Sequence, residues 1–245
     1  MPLTDSPQDT PPLDERTARE LCEQFTAILG HDLRNPLAAV ASNAILLALK
    51  ADDAAAVRAI GGRIQASVER MSRLIDDVMD FARGSLGGGI GVRLADVDDI
   101  GQALTAVVTE LQDARPSRTI AGLIDDCPPI RCDRGRVQQL ASNLLANALD
   151  HGSAEGTVRF TAGAEDGHLV LRVSNDGAPI PPEAIERIFK PFRRESVSAD
   201  RQGLGLGLHI CAQIVQAHHG QLSVASSREA GTTFTARLPL SPALP

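Results

Sequence analysis

The chain has 245 residues, of which 43% are hydrophobic and 22% charged, and its formal net charge is −7. That length holds two modest domains with packed cores and excludes a disordered chain. The acidic balance argues against nucleic acid as the main partner, because phosphate contacts call for a basic surface. Trp and Tyr are absent and aromatics make up only 2%, so the cores must come from Leu, Ile, Val and Ala, which suits helix bundles and small α/β layers.

Cys22, Cys127, Cys132 and Cys211 include no CxxC pair, and no charged-then-apolar leader opens the chain. Both features fit a reducing cytoplasm and disfavour a metal or redox role for Cys127 and Cys132, which flank Pro128-Pro129. The longest apolar stretch, Leu37 to Ala51, is interrupted by Ser42, Asn43 and Lys50 and is too short to span a bilayer; no membrane span is expected.

Residues 1–13, with Pro2, Pro7, Pro11 and Pro12 among Asp, Ser and Thr, read as a disordered tail. A first helix is expected from about Asp14 to Lys50. Within it Leu33, Leu37, Val40, Ala44 and Leu47 step by three and four along one apolar face. His31 falls on the side opposite that face, toward solvent or a partner. Pro36 gives no N–H to the carbonyl of Asp32, so a bend is expected just past the histidine. Asp52-Asp53 supplies a turn and N-cap. A second long helix then carries Val57, Ile60, Ile64, Ser67, Met71, Leu74, Val78 and Phe81 on one stripe, with Gly61-Gly62 as a weak point or flexible turn inside it. Two helices of matching length make a hairpin, and one hairpin covers only part of its apolar surface. Two hairpins are therefore expected to pair into a dimeric four-helix bundle.

Five glycines between Gly84 and Gly91 mark a hinge. Beyond it the patterns interleave. A short strand is expected near Val92–Leu94 and a helix over Val97–Ala114. A strand follows over Arg118–Ile124, a helix over Arg134–His151, and strands over Thr157–Ala162 and Leu169–Asn175. A short helix over Pro182–Ile188, a loop, a helix over Gly205–His218, and strands over Leu222–Ser226 and Thr232–Leu238 complete the chain. This is the pattern of an α/β sandwich with helices on one face of a mixed sheet. The expected division is tail 1–13, helical hairpin 14–83, hinge 84–91 and α/β domain 92–241.

The segment Phe25, His31-Asp32-Leu33-Arg34-Asn35-Pro36-Leu37 closely resembles the H-box of bacterial two-component sensor histidine kinases. The resemblance implies that His31 is the phosphoacceptor. It also implies that Asp32 orients the imidazole and takes its proton, and that Asn35 positions water when the partner is dephosphorylated. An imidazole attacks only when neutral, as it mostly is at cytoplasmic pH with a reference pKa of about 6.5.

Asn143 and Asn147 stand one turn apart on one helix face, and an amide oxygen is a neutral, hard donor suited to Mg²⁺. Together with Asp133, Arg136, Gln139 and Ala148 they resemble the family's N-box, in which Asn147 would hold Mg²⁺ and Asn143 would meet the nucleotide phosphates. On the next strand Leu169, Leu171, Val173 and Asn175 share one face and Asp176 points the other way. The run Val-Ser-Asn175-Asp176-Gly177-Ala-Pro-Ile-Pro181 resembles the G1 box, where an Asp usually stands at the position of Asn175 and accepts the adenine amino proton. Ile188-Phe189-Lys190-Pro191-Phe192 resembles the F-box, which assigns Lys190 to the nucleotide site, and the loop to about Gln202 would be the lid over ATP. Gly203-Leu-Gly205-Leu206-Gly207 opens a helix and resembles the G2 box, where glycines let N–H groups approach phosphate at a helix N-terminus. His219-Gly220 and Gly231-Thr-Thr-Phe234 are similar to the closing strands.

The resemblance covers roughly residues 17 to 240. It implies an enzyme that moves the γ-phosphoryl of ATP to His31 and then to an aspartate of a response-regulator receiver domain, acting as a homodimer. A second reading is an ATPase related to gyrase, the mismatch-repair proteins and the heat-shock chaperones. Those carry a Glu four residues before the magnesium Asn, where this chain has Asn143, and Asp150 stands where kinases more usually have Lys. A third reading is a regulator-binding phosphatase or scaffold dimer with weak or no kinase activity, compatible with Asn35 and Asn175. The stretch before the first helix is shorter than the roughly 50 residues a sensor domain needs. The signal is then expected from a separate sensor protein, which Met1 favours, or from the rest of a longer chain.

Overall fold

The computed structural model describes residues 15–84, 89–125, 127–192 and 204–241, with the side chains of residues 15–29 and of residue 31 outside the description. The expected tail, the middle of the glycine hinge, the lid loop over 193–202 and Gly203 therefore lie outside the described residues. Two compact units divide the chain, Met1–Met71 and Ser72–Pro245.

The first unit is helical. α1 (Glu15–Leu49) runs unbroken through Pro36, and α2 (Ala54–Arg83) follows after a short turn. Asp53 caps α2 as its position foretold: its Oδ1 accepts from the N–H groups of Ala55 and Ala56, both at 3.0 Å. Across the hairpin Arg63 Nε donates to Asn43 Oδ1 at 3.1 Å. Gly61 and Gly62 do not interrupt α2. Their cost, about 1 kcal/mol each against alanine, is offset by a stripe of covered residues either side of them, including Ile60, Ile64, Leu74 and Val78.

The apolar residues of α1 divide between two faces, where the spacing alone suggested one. Leu33, Val40 and Leu47 are half-buried along with buried Pro36, whereas Ala44 is exposed and Leu37 is 58% exposed. Leu37 is joined among the uncovered apolar residues of α1 by Ile45, 64% exposed, and Leu49, and α2 carries a counterpart in Val68, Ile75 and Met79. A step of three or four residues fits either of two neighbouring stripes, so periodicity could not separate them.

In the second unit β1 (Ala95–Val97) pairs antiparallel with β3 (Ile130–Cys132) as a small separate sheet. β1 lies downstream of the strand expected at Val92–Leu94, and α3 (Ile100–Ala114) accordingly starts after the expected Val97. Pairing decided the register: Val97 stands opposite Ile130 and Ala95 opposite Cys132, which buries Val97, Ile130 and Cys132. A three-residue strand next to Pro128-Pro129 gives no periodic signal of its own, so β3 is visible only through its pairing.

The main sheet has the order β2-β4-β5-β7-β6, built from β2 (Thr119–Ile124), β4 (Thr157–Glu165), β5 (His168–Asn175), β6 (Gln221–Ser227) and β7 (Gly231–Pro239). β2 runs parallel to β4 and every other pairing is antiparallel. Phe160, Val173, Phe234 and Val224 line up across four strands, and Ala162, Leu171, Ala236 and Leu222 form the next row. Large and small side chains alternate in these rows, under α3, α4 (Arg134–His151) and α6 (Gly207–Ala217), while α5 (Pro182–Ile185) is a single turn.

Residues 72–83, the last turns of α2, belong to this second unit. Buried Asp80 accepts from Arg136 Nη1 at 2.5 Å and from Gln139 Nε2 at 2.9 Å, both on α4, and the Phe81 ring meets Phe192 edge-on with centroids 4.8 Å apart. Asp80→Ala should strand the mostly covered Arg136 guanidinium and lower unfolding free energy by about 3 kcal/mol, read as a fall in Tm. A loss below about 1 kcal/mol would show that solvent relieves the pair.

Candidate functional site

On α1 the residues flanking His31 are well separated in environment. Asp32 is only 3% exposed, whereas Arg34 and Asn35 are open to solvent. With Pro36 inside the helix, the Asp32 carbonyl lacks its usual N–H partner four residues on. The helix thus holds a buried carboxylate next to position 31 and an exposed amide one turn beyond it.

The second unit builds its site from α4 and α6. Asp133 caps α4: Oδ1 accepts from Arg136 N–H at 3.2 Å, and Oδ2 accepts from Arg93 N–H at 2.9 Å. Burial works to raise the Asp133 carboxyl, but those N–H groups and the Arg136 charge outweigh it and hold it below the usual range. The Asp133 N–H donates to His218 Nε2 at 3.0 Å, and Nδ1–H of the same ring donates to the Ile214 carbonyl at 2.8 Å. Both contacts fix one neutral tautomer, and burial pushes the His218 pKa down. This relay ties the end of α6 to the start of α4.

Along α4, Asn143 and Asn147 stand on one face as their spacing required. Asn143 Nδ2 donates to the Gly207 carbonyl at 3.4 Å, at the amino end of α6, which leaves Oδ1 as the atom for a ligand. Asn147 is half-buried, and its amide makes no hydrogen bond among the described residues. The turn into α6 needs glycine: Gly205 has φ +67°, a region other residues rarely adopt. Buried Leu204 and Leu206 anchor the turn from beneath, and the first N–H groups of α6 have no partner within the helix.

Asn175 closes the inward row of β5 and is buried, with Thr232 opposite it on β7. Three glycines crowd it. A Cβ on Gly177 would lie 2.6 Å from the His151 carbonyl and 3.1 Å from Asn175 Nδ2, and one on Gly152 would lie 2.6 Å from the Ala148 carbonyl and 3.2 Å from Asn175 Cβ. Gly231, at φ +71°, leaves no room for a Cβ against the Asn175 carbonyl. The turn after α4 is pinned to the Asn175 segment by the Gly152–Gly177 bridge and by Ser153 N–H donating to the Asp176 carbonyl. Arg118 Nη1 in turn holds the Ser153 carbonyl.

The structure thus brings together Asn143, Gly205, Leu206 and Gly207, and separately Asn175 and Gly177 at the end of α4. Lys190 is exposed, with its N–H closing a turn onto Arg187, while the preceding Phe189 faces inward, its ring 6.4 Å from Phe234 and its carbonyl 3.1 Å from His209 Nδ1. Gly152, Gly231, His209 and His218 join these residues without belonging to the site residues that the sequence motifs mark. A glycine directly after a helix is a readable stop signal, but nothing local marks a histidine as the partner of an N–H 85 residues away. Asp150, where kinases more usually have Lys, pairs with Arg115 of the segment after α3.

Asn147 fits a divalent cation that brings phosphate and water ligands with it: a neutral oxygen donor, half-buried and unpartnered. No group of three or more His, Cys, Asp or Glu among the described residues could hold such an ion by itself.

Two family models match the chain. Residues 23–87 match the His Kinase A (phospho-acceptor) domain, and residues 132–242 match the histidine kinase-, DNA gyrase B- and HSP90-like ATPase. A bacteriophytochrome of Pseudomonas aeruginosa is 36% identical over 223 residues, 89% of this chain and 30% of that protein. The probable sensor histidine kinase TcrY of Mycobacterium tuberculosis is 36% identical over 235 residues, 93% of this chain and 48% of that protein. The chain therefore spans less than half the length of either curated relative. Among solved structures, full-length ShkA in complex with AMPPNP superposes with a TM-score of 0.61 at 29% identity, covering 91% of this chain and 47% of that one.

The His218 relay makes a pH prediction. In the unfolded chain the imidazole takes up a proton below about pH 6.5, and in the fold it resists doing so, so its contribution to stability is present above that pH and lost as pH falls. Asp77 acts in the opposite sense: burial, then Asp80 and Asp76, raise its pKa to about 7, so the stability it contributes at low pH is lost as pH rises toward 7. Urea midpoints of wild type and His218→Gln between pH 5 and 7.5 separate the two. The variant should lose up to one proton's worth of acid-side slope, about 1.4 kcal/mol per pH unit, and identical slopes would refute the assignment.

Proposed function

Because the chain belongs to the two-component sensor histidine kinases, with a phospho-acceptor helical region followed by their ATP-binding domain, we propose that it transfers the γ-phosphoryl of ATP to His31. We further propose that it passes the phosphoryl on to an aspartate of a response-regulator receiver domain. The observation that carries this is the α4–α6 junction, where Asn143, the glycine turn and the open amino end of α6 meet. Phosphoryl transfer asks for positioning and charge neutralisation more than for covalent chemistry by the protein, and among the described residues this junction offers amide and N–H donors and no general base. The residue four before Asn147 is the amide Asn143, which cannot deprotonate water, so ATP is reserved for His31.

In this reading Asn175 and Gly177 take the base, and the N–H groups around Gly203, Gly205, Leu206 and Gly207 take the phosphates, with Lys190 at the rim. Mg²⁺, when bound on Asn147 with the nucleotide, supplies neutralisation of phosphate charge. Asp32 orients the His31 ring and receives its proton, and buried carboxylates of this kind are costly unless they serve a charge. Segment 84–91 is the hinge between the phospho-acceptor hairpin of residues 14–83 and the catalytic domain of residues 92–241. No helix among the described residues is long and apolar enough to cross a membrane; the need for ATP and the reduced thiols of Cys132 and Cys211 support a cytoplasmic setting for the reaction.

The exposed stripes of α1 and α2 support a homodimer, in which a second hairpin covers them. Ile45→Lys combined with Ile75→Lys should convert the dimer to a monomer in light scattering; a wild-type chain that is already monomeric would sink this assembly. Exposure of Asn35 favours a second reading, a regulator-binding phosphatase or scaffold with weak kinase activity. Incubation with γ-labelled Mg-ATP decides between them. Acid-labile, alkali-stable label on the wild type that is absent from His31→Gln establishes the kinase, and a folded dimer that takes no label leaves the phosphatase reading.

A further inference from the structure

Asn175 is the one departure from the expected base-recognition residue, and it is also a buried side chain for which the described residues provide no hydrogen-bond partner. It is 4% exposed, yet its amide makes no hydrogen bond among the described residues. The hydroxyls around it are engaged with one another. Thr232 Oγ1 pairs with Ser226 Oγ at 2.7 Å, Ser226 Oγ accepts from Ile180 N–H at 2.9 Å, and Ser174 Oγ pairs with Thr233 Oγ1 at 2.8 Å. The neighbouring carboxylate does not substitute for it, since Asp176 is exposed and lies 3.9 Å from Arg159. The enclosed unpartnered side-chain atoms of the described residues are Nε and Nη2 of Arg118, not those of Asn175, so the Asn175 amide keeps a reachable donor and acceptor for a ligand.

Resting on the reading of Asn175 as the residue that meets the purine edge, we propose that the site accepts nucleoside triphosphates with a 6-oxopurine base as well as ATP. A carboxylate only accepts hydrogen bonds. It matches the 6-amino group of adenine and opposes the 6-oxo oxygen of hypoxanthine or guanine, and such a mismatch in a buried site discriminates strongly. An amide has its acceptor and donor at opposite ends of one planar group, and its last torsion is broad and two-fold. With Oδ1 toward the 6-amino group, Nδ2 serves the N1 acceptor of adenine. Turned over, Nδ2 serves the 6-oxo oxygen and Oδ1 takes the N1 proton. No hydrogen bond from the described protein pins either orientation, and the glycines at 152, 177 and 231 put no side chain against it. Base discrimination at the 6-position, which an Asp would enforce, is relaxed in this chain.

The test is displacement of a fluorescent ATP analogue from the full chain by Mg-ATP and by Mg-ITP, whose hypoxanthine base differs from adenine at the 6-position without adding a 2-amino group. ITP should bind within about tenfold of ATP, and in Asn175→Asp the ratio of the two dissociation constants should rise by at least about tenfold, through loss of ITP affinity. ATP binding with ITP more than tenfold weaker in the wild type, or a ratio unmoved by the substitution, overturns the proposal. Failure of both nucleotides to displace the probe overturns the ATP reading itself, a distinct result. If Asn175→Asp does not fold, the wild-type ratio alone decides.

Discussion

The site of the second unit depends on the alignment of α4 and α6, and that alignment rests on one buried relay. Asp133 uses its carboxylate to start α4 and its N–H to meet His218, which in turn donates to the last turn of α6. Neither helix could shift along the other without leaving a buried donor or acceptor unpaired, at a cost of about 1–3 kcal/mol for each. The relay lies at the start of α4, away from Asn143 and Asn147. The framework can therefore be rigid while the two asparagines and the glycine turn remain open to a ligand.

A second constraint is close approach. Gly152, Gly177 and Gly231 let three backbone segments converge on Asn175 at distances no side chain would permit. The result is a buried amide surrounded by main chain. Polar groups satisfied within the framework and polar groups kept unsatisfied at the ligand position are thus separated by only a few residues along β5 and β7, a division that suits a site whose ligand completes the hydrogen bonding.

The helical unit is governed by a different balance. Its covered stripe holds the hairpin together, while its exposed stripe leaves apolar residues such as Ile45 and Ile75 uncovered, the kind of surface that marks association. The end of α2 is committed elsewhere. Asp80 is clasped by Arg136 and Gln139, and Phe81 by Phe192, so one continuous helix contributes to both compact units.

Much of this was legible in the chain. The bounds of α4, the Asp53 cap, the α2 stripe from Val57 to Phe81, the paired asparagines and the inward placing of Asn175 all follow from spacings within one element, where helix and strand periods fix what lies beside what. The register of β1, the existence of β3, the second face that takes Leu37, the glycine cage and the partners of Asp80 and His218 did not follow. Each depends on a residue from a distant element: Cys132 for Ala95, Arg136 for Asp80, Asp133 for His218. Sequence by itself determined the long periodic elements and the chemistry they carry, because those arise from local sterics and period. Tertiary structure alone decided which polar groups are satisfied and which are kept for a ligand, because burial and hydrogen-bond pairing exist only once distant segments have packed.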